Sequence, residues 1–246
     1  MELIEPIITE LDLSANSQLA TLDAYTGRLN SVVIPRSPEL KRINLSRNAL
    51  TSIDVTHNPN LVNLDIGGNR ITVLDVSSNA ELDTLYARQN ALTSIDLSAN
   101  PKLRIVNVEG NQLTQITLAG NSALLSLDLS DNALNTIDLT GAPELRTLDA
   151  ASNQFSSINL GATPHIDILT LSNNLLSSID LSNKARLGYL QLANNQLSGL
   201  DVSTNTRLTT LIASDNLITS IDLTNNLNLD RVELDLGVAC TGSVCP

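Results

Sequence analysis

Aromatic side chains are scarce in this chain of 246 residues: three Tyr, one Phe and no Trp. A compact enzyme core usually draws on such bulky residues, whereas thin identical layers are filled by Leu, Ile and Val. Positive charge is also scarce. Fourteen Lys and Arg against 26 Asp and Glu leave a formal charge of −12, which argues against nucleic acid or an anionic membrane as partner, since both need a basic face. No apolar run approaches the roughly 20 residues of a membrane-spanning helix, so no membrane insertion is expected. The opening residues, MELIEPIITELDLS, lack the basic and long apolar regions of a secretion signal. That leaves a cytoplasmic protein or one whose signal has been removed. The only cysteines, Cys240 and Cys245, bracket Thr-Gly-Ser-Val. This spacing, with no accompanying His, suits a small disulfide loop better than a metal site, with a pair of free thiols as the alternative. A disulfide would imply an oxidising compartment. Phosphate-loop, nucleophile-elbow and HExxH motifs are missing. His57 and His165 stand five repeats apart, roughly 25 Å by strand spacing, and each reads as an exposed turn residue. The chain is read as a non-enzyme with no cofactor and no metal.

What the chain has is a period. Leu19, Leu40, Leu61, Leu82, Leu103, Leu124, Leu145, Ile166, Leu187, Leu208 and Leu229 recur every 21 residues without insertion or deletion. Counting these as position 1, position 9 is asparagine nine times running, from Asn48 to Asn216, and glycine at both ends, Gly27 and Gly237. A fixed period of this length specifies a solenoid. Apolar residues fall at positions 1, 4, 6, 11, 14 and 16, as in Leu124, Leu127, Leu129, Leu134, Ile137 and Leu139. The pairs two apart read as short strands with one face inward, and no helical spacing persists. Stacked coils then align equivalent segments as parallel strands about 4.8 Å apart. The asparagine is expected to turn the chain, adopt a left-handed backbone and satisfy main-chain groups. A second asparagine row at position 19 (Asn58, Asn79, Asn100, Asn121) lapses at Ala142, Thr163 and Lys184 and returns at Asn205 and Asn226. Residues 1–18 read as an N-terminal cap and half coil, with Leu3, Ile4, Ile7 and Ile8 closing the core and Pro6 limiting the edge. Residues 19–236 form the solenoid, and residues 237–246 a short tail in which the pattern has stopped.

The unit L-x-x-L-x-L-x-x-N-x-L followed by x-x-I-D-L-S-x-N-P, nearly complete in LDTLYARQNALTSIDLSANP from residue 82, resembles the leucine-rich repeat superfamily. It is most similar to the 21-residue bacterial class of internalin-like surface proteins, over about residues 8–236. The resemblance implies about eleven coils, a parallel β-sheet forming the recognition face, short strands or turns opposite, and little helix. It implies protein or glycan ligands, repeats without chemistry, and a secreted or cell-surface location. The helical cap of internalins and a sorting tail are not recognisable here.

Positions 3, 5, 7 and 8 are expected to face solvent on the strand side. All three tyrosines fall there: Tyr25 at 7, Tyr86 at 5, Tyr189 at 3. Exposed tyrosine offers contact area at low entropic cost and is enriched at interfaces. Charge also divides along the face, with Lys41, Arg42, Arg47 and Arg88 early and Asp128, Asp131, Asp149, Asp215, Glu233 and Asp235 late. The candidate ligand-binding residues are Arg42, Tyr86, Arg88, Asn107, Asp128, Asp149 and Tyr189, on a monomeric binding module. A spacer or assembly unit of a larger surface protein is the alternative. Position 15 carries an acidic row (Asp54, Asp75, Asp96, Asp138, Asp180, Asp201, Asp222) whose mutual repulsion needs an offset. Hydroxyls such as Thr51, Ser52, Thr93, Ser94 and Ser98 are the expected source, and cation binding the remote one. Ice binding by the hydroxyl row at position 12 is equally remote, because Ser and Asn interrupt it.

Overall fold

The computed structural model describes residues 8–245. Its main feature is a parallel sheet of eleven strands, one per coil, each three residues long, from Thr21–Asp23 to Arg231–Glu233. Register is constant. In the middle of the sheet Asn107, Asp128, Asp149 and Thr170 are successive partners, as are Val106, Leu127, Leu148 and Leu169. Each strand spans positions 3 to 5, so position 4 points inward and positions 3 and 5 outward, as the two-residue period of a strand requires. The second halves of the coils lie opposite. Among the described residues they form three two-stranded ladders: Glu10–Asp12 with Ser31–Val33, Ser94–Asp96 with Gln115–Thr117, and Ser220–Asp222 with Ala239–Thr241. No helix occurs among the described residues.

One continuous aliphatic core runs the length of the solenoid, with Leu40, Leu61, Leu82, Leu103, Leu124, Leu145, Ile166, Leu187 and Leu208 fully buried. Phe155 fills position 11 of its coil, also fully buried. Of the cap residues expected to cover the first coil, Leu3, Ile4, Pro6 and Ile7 lie outside the described residues, and Ile8 is exposed.

The asparagine row does the stitching. Asn132 Nδ2 donates to Val108 O of the preceding coil at 3.0 Å and to Leu129 O of its own at 2.9 Å. Its Oδ1 accepts the Leu113 N–H at 2.9 Å. The same pattern repeats from Asn48 to Asn216. The expected left-handed backbone belongs to position 8 instead. Arg47, Gln89, Asp131, Ser152, Asn173, Asn194 and Asp215 all have φ between 52° and 58°, so the turn is made one residue early and the asparagine amide is left to bond. At Gly27 the chain closes on its neighbour: a Cβ there would stand 2.6 Å from Asn48 Oδ1. At the other end a carboxylate takes the place of two turn carbonyls, which in regular coils accept such bonds, as Ala151 O and Ser152 O do from Asp131 and Asn132. Asp235 accepts the N–H groups of Asp215 and Asn216, at 2.7 and 3.0 Å.

The second row is more deeply buried and less complete. Asn79 Nδ2 donates to Val55 O and Asn58 O at 3.0 and 2.8 Å, yet the Oδ1 atoms of Asn58, Asn79, Asn100, Asn121, Asn205 and Asn226 meet no protein donor. Where the row lapses, the backbone adjusts. With Ala142 offering no amide, the Leu118 carbonyl turns toward Gly141, where a Cβ would stand 1.8 Å away. Lys184 occupies the same column with 1% exposure; burial lowers its pKa, opposed by Asp180.

The acidic row at position 15 is offset two residues on. Asp54 Oδ1 accepts both the N–H and the hydroxyl of Thr56, at 3.0 and 2.6 Å, and Asp222 does the same with Thr224. Of the residues expected to act through hydroxyls, Ser98 donates its backbone N–H to Asp96 Oδ1 at 2.9 Å. Thr51, Ser52, Thr93 and Ser94 make no such bond. Hydrogen bonds from Thr56, Ser77, Ser182, Ser203 and Thr224 lower the pKa of Asp54, Asp75, Asp180, Asp201 and Asp222.

The tail continues the fold further than its sequence period. Ala239–Thr241 pairs with Ser220–Asp222, and Cys240 takes the register place opposite Ile221 although it lies two residues early in the count. Cys240 is joined to Cys245 in a disulfide that closes this last half turn.

Substitutions test both the asparagine row and the acidic row. Asn132→Ala lowers unfolding free energy by about 2 kcal/mol, because it strands a buried N–H and two carbonyls. Asn135→Ala, at an exposed position, changes it by less than about 0.5 kcal/mol in the same denaturant titration. In Thr224→Val, the Asp222 carboxylate titrates by NMR at higher pH than in the parent. The lowered folded pKa means that the stabilisation is present above the unfolded value of about 3.9 and is lost as pH falls through the folded one.

Candidate binding face

Positions 3 and 5 of the eleven strands make two columns of side chains over the sheet. Most of the candidates group toward the N-terminal and central coils. Tyr86, Asn107, Asp128 and Asp149 are consecutive register partners in the position-5 column. Arg42 and Tyr86 line a shallow depression of about 290 Å³ with Asn44, Asn63, Asp65 and Thr84. Those last four were not singled out from sequence, although they hold positions 3 and 5 of coils 2 to 4 and column reading alone identifies them. Tyr86 is 36% exposed at the depression's edge, while Thr84 is buried between its column neighbours Asn63 and Ile105.

Tyr189 is not part of this grouping. It lies five coils from Tyr86, roughly 24 Å away by strand spacing, half-buried between Ile168 and Thr210. Its hydroxyl donates to Gln191 Oε1 at 3.1 Å. Arg88 is not on the strands. It sits at the turn, its stem over Gly67. The seven candidates therefore mark an extended face and its edge. They do not converge on one pocket.

The expected division of charge holds poorly on the strands. Asp23 stands 3.7 Å from Arg42 and Asp65 lies in the early half, while Arg231 pairs with Glu233 in the last strand. A parallel set of inter-coil ion pairs borders the face: Lys102 with Glu81, Arg104 with Asp83, and Arg186 with Asp167. All are partly exposed, so each contributes at most about 1 kcal/mol.

The centre of the face is acidic and internally bonded. Asn107 Nδ2 donates to Asp128 Oδ2 at 2.9 Å, and Asp128 Oδ1 accepts the N–H and hydroxyl of Ser130. Asp149 is the odd member. Burial raises its pKa, the Ala151 N–H opposes that, and Asp128, Asp131 and Glu109 add to it. Among the described residues no three His, Cys, Asp or Glu side chains stand close enough to hold a metal ion. The histidines play separate parts: His57 is exposed and 3.1 Å from Arg36, whereas His165, expected to be exposed, is half-buried.

Short parallel strands on one side, an asparagine-stitched turn and a 21-residue coil define a leucine-rich repeat solenoid. The leucine rich repeat family profile matches residues 101–155. Among solved structures, the functional domain of InlJ from Listeria monocytogenes is similar at TM-score 0.82 and 27% identity, over 93% of this chain and 56% of that one. YopM from Yersinia enterocolitica is similar at 0.78 and 25%, over 92% and 48%. The internalin InlF from Listeria monocytogenes is similar at 0.73 and 24%, over 88% and 74%. The chain thus spans about half the length of the first two. The InlJ domain includes a cysteine ladder; here both cysteines lie beyond the repeats. No curated protein sequence matches the chain. The likeness to bacterial internalins, legible in the repeat, is present in three dimensions, and YopM shares the fold.

The raised pKa of Asp149 has a sign that can be tested. A carboxylate whose folded pKa exceeds its unfolded value costs stability at neutral pH and returns it as pH falls toward the unfolded value. Asp149→Asn keeps an acceptor for the Ala151 N–H and removes the charge. Its melting temperature is expected to exceed the parent's at neutral pH and to match it below about pH 3, where both side chains are neutral.

Proposed function

We propose that this solenoid is a non-enzymatic binding module that presents its strand face to a protein or glycan partner outside the cell. The observation that carries the reading is the depression shared by Arg42 and Tyr86, continued along one column by Asn107, Asp128 and Asp149. Tyrosine and arginine are the residues most enriched where binding energy concentrates, and carboxylates beside them set orientation and on-rate more than affinity. The partner lies across several coils, because the polar groups are distributed at one strand spacing each and the depression on the strand face is shallow. The disulfide at Cys240 and Cys245 favours an oxidising, extracellular setting.

Probing immobilised protein and glycan arrays with the purified chain identifies the class of ligand. Tyr86→Ala combined with Tyr189→Ala is expected to abolish that capture while leaving the melting curve nearly unchanged, since neither ring belongs to the buried core. Capture that survives the double substitution places the contact on another surface.

A further inference from the structure

The turn after each strand carries a charge pattern that the strands do not. In the first four coils, positions 7 to 10 hold Arg28, Arg47, Arg70 and Arg88 and no carboxylate. All four are exposed. Among the described residues none of them comes within ion-pair distance of an acid; the five ion pairs use other cations. In a chain of net charge −12, four unneutralised guanidinium groups along one edge form a local field of the opposite sign.

The edge has a shape as well as a charge. Coil 3 contributes Gly67 and Gly68 at the centre. A Cβ on Gly67 would stand 3.0 Å from Arg88 Cγ, and one on Gly68 would stand 3.4 Å from Arg47 Cγ. Gly67 is buried beneath the Arg88 stem with its N–H donating to Asp65 Oδ1, and the Arg47 stem lies against Gly68, so the two guanidinium groups are carried on either side of coil 3, from coil 2 and coil 4. Two strand spacings separate those coils, about 10 Å. Guanidinium forks suit planar bidentate oxyanions better than ammonium groups do.

We infer that this edge binds a short acidic segment of a protein partner. The length of that segment is limited by the neighbouring coils. From coil 5 the same turns carry no arginine, and the two coils next to the basic edge bring Glu109 and Asp131, so a uniform polyanion longer than the basic edge runs into repulsion. Four coils span about 15 Å, the reach of four or five residues of extended chain. Farther along the edge stand exposed aliphatics, Leu175, Leu217 and Leu236. These offer contact to a polypeptide and nothing to a sulfated glycan or a nucleic acid. A peptide can change from acidic to apolar within a few residues, and a regular polyanion cannot. The inference is independent of the strand-face reading, because the edge and the face are different surfaces.

The test uses the full chain and a fluorescein-labelled pentaglutamate peptide, read by fluorescence anisotropy at about 100 mM salt. There the Debye length of about 10 Å screens the distant acidic coils and not the contacts. The peptide is expected to bind. Gly67→Asp, which sets a carboxylate between Arg47 and Arg88 without removing either, is expected to weaken it about tenfold or more. Ala193→Asp at the same turn position in coil 9 leaves binding unchanged, as does Tyr86→Ala combined with Tyr189→Ala. Arg47→Gln combined with Arg88→Gln serves as a second disruption should Gly67→Asp unfold the coil. Absent binding, or binding indifferent to both disruptions, overturns the inference, and loss in the tyrosine variant moves the contact to the strand face. Tighter, Gly67→Asp-sensitive binding of a heparin hexasaccharide or a thymidine oligonucleotide overturns the protein assignment.

Discussion

Everything in this structure depends on hydrogen bonds that run from one coil to the next. A single 21-residue coil buries too little to order itself, and a repeat of this kind is stable only through its neighbours. The position-9 asparagines supply part of that coupling at the point where a strand would otherwise leave carbonyls and an N–H buried and unpaired. Each amide closes a turn in its own coil and joins it to the one before. Both ends depart from the row. Gly27 leaves room for Asn48 Oδ1, and the Asp235 carboxylate accepts the two turn N–H groups that backbone carbonyls of the next coil accept elsewhere.

The opposite side of the solenoid is held differently. There the row of buried asparagines donates to carbonyls with its amide nitrogens and keeps six carbonyl oxygens without a protein donor. It tolerates interruption by Ala142, Thr163 and Lys184. Thr163 turns its hydroxyl to Leu160 O, and the Leu118 carbonyl closes on Gly141. Carboxylates at position 15 survive stacking because each is held by the residue two places on. Charge repulsion between coils is met locally inside each one. Both sides of the protein are therefore stitched between coils by asparagine amides, and the acidic row of the second side is in addition held within each coil.

That division leaves the strand side and its turns to carry recognition. The outward positions are free to vary because inward positions 4 and 6 and the asparagine hold the coil. Variation has produced a face with an arginine–tyrosine depression, a bonded acidic centre and a tyrosine farther along. It has also produced an edge that passes from arginine to aspartate and leucine. Binding specificity in such a surface lies in the order of side chains along the columns, each one strand spacing from the next.

The repeat by itself determined the architecture. Period, inward positions, strand number and the two asparagine rows were all legible, because stacking forces every coil to solve the same problem in the same register. It also placed Tyr86, Asn107, Asp128 and Asp149 in one column. Tertiary structure decided what a period cannot encode. The left-handed residue is position 8, since the asparagine must keep its amide for the neighbouring coil. Thr84 is buried where an outward side chain was expected, because its column neighbours crowd it. Arg88 leaves the face for the turn, where Gly67 gives its stem room. Cys240 re-enters the register two residues early, because pairing with Ile221 obeys hydrogen-bond geometry and not residue count.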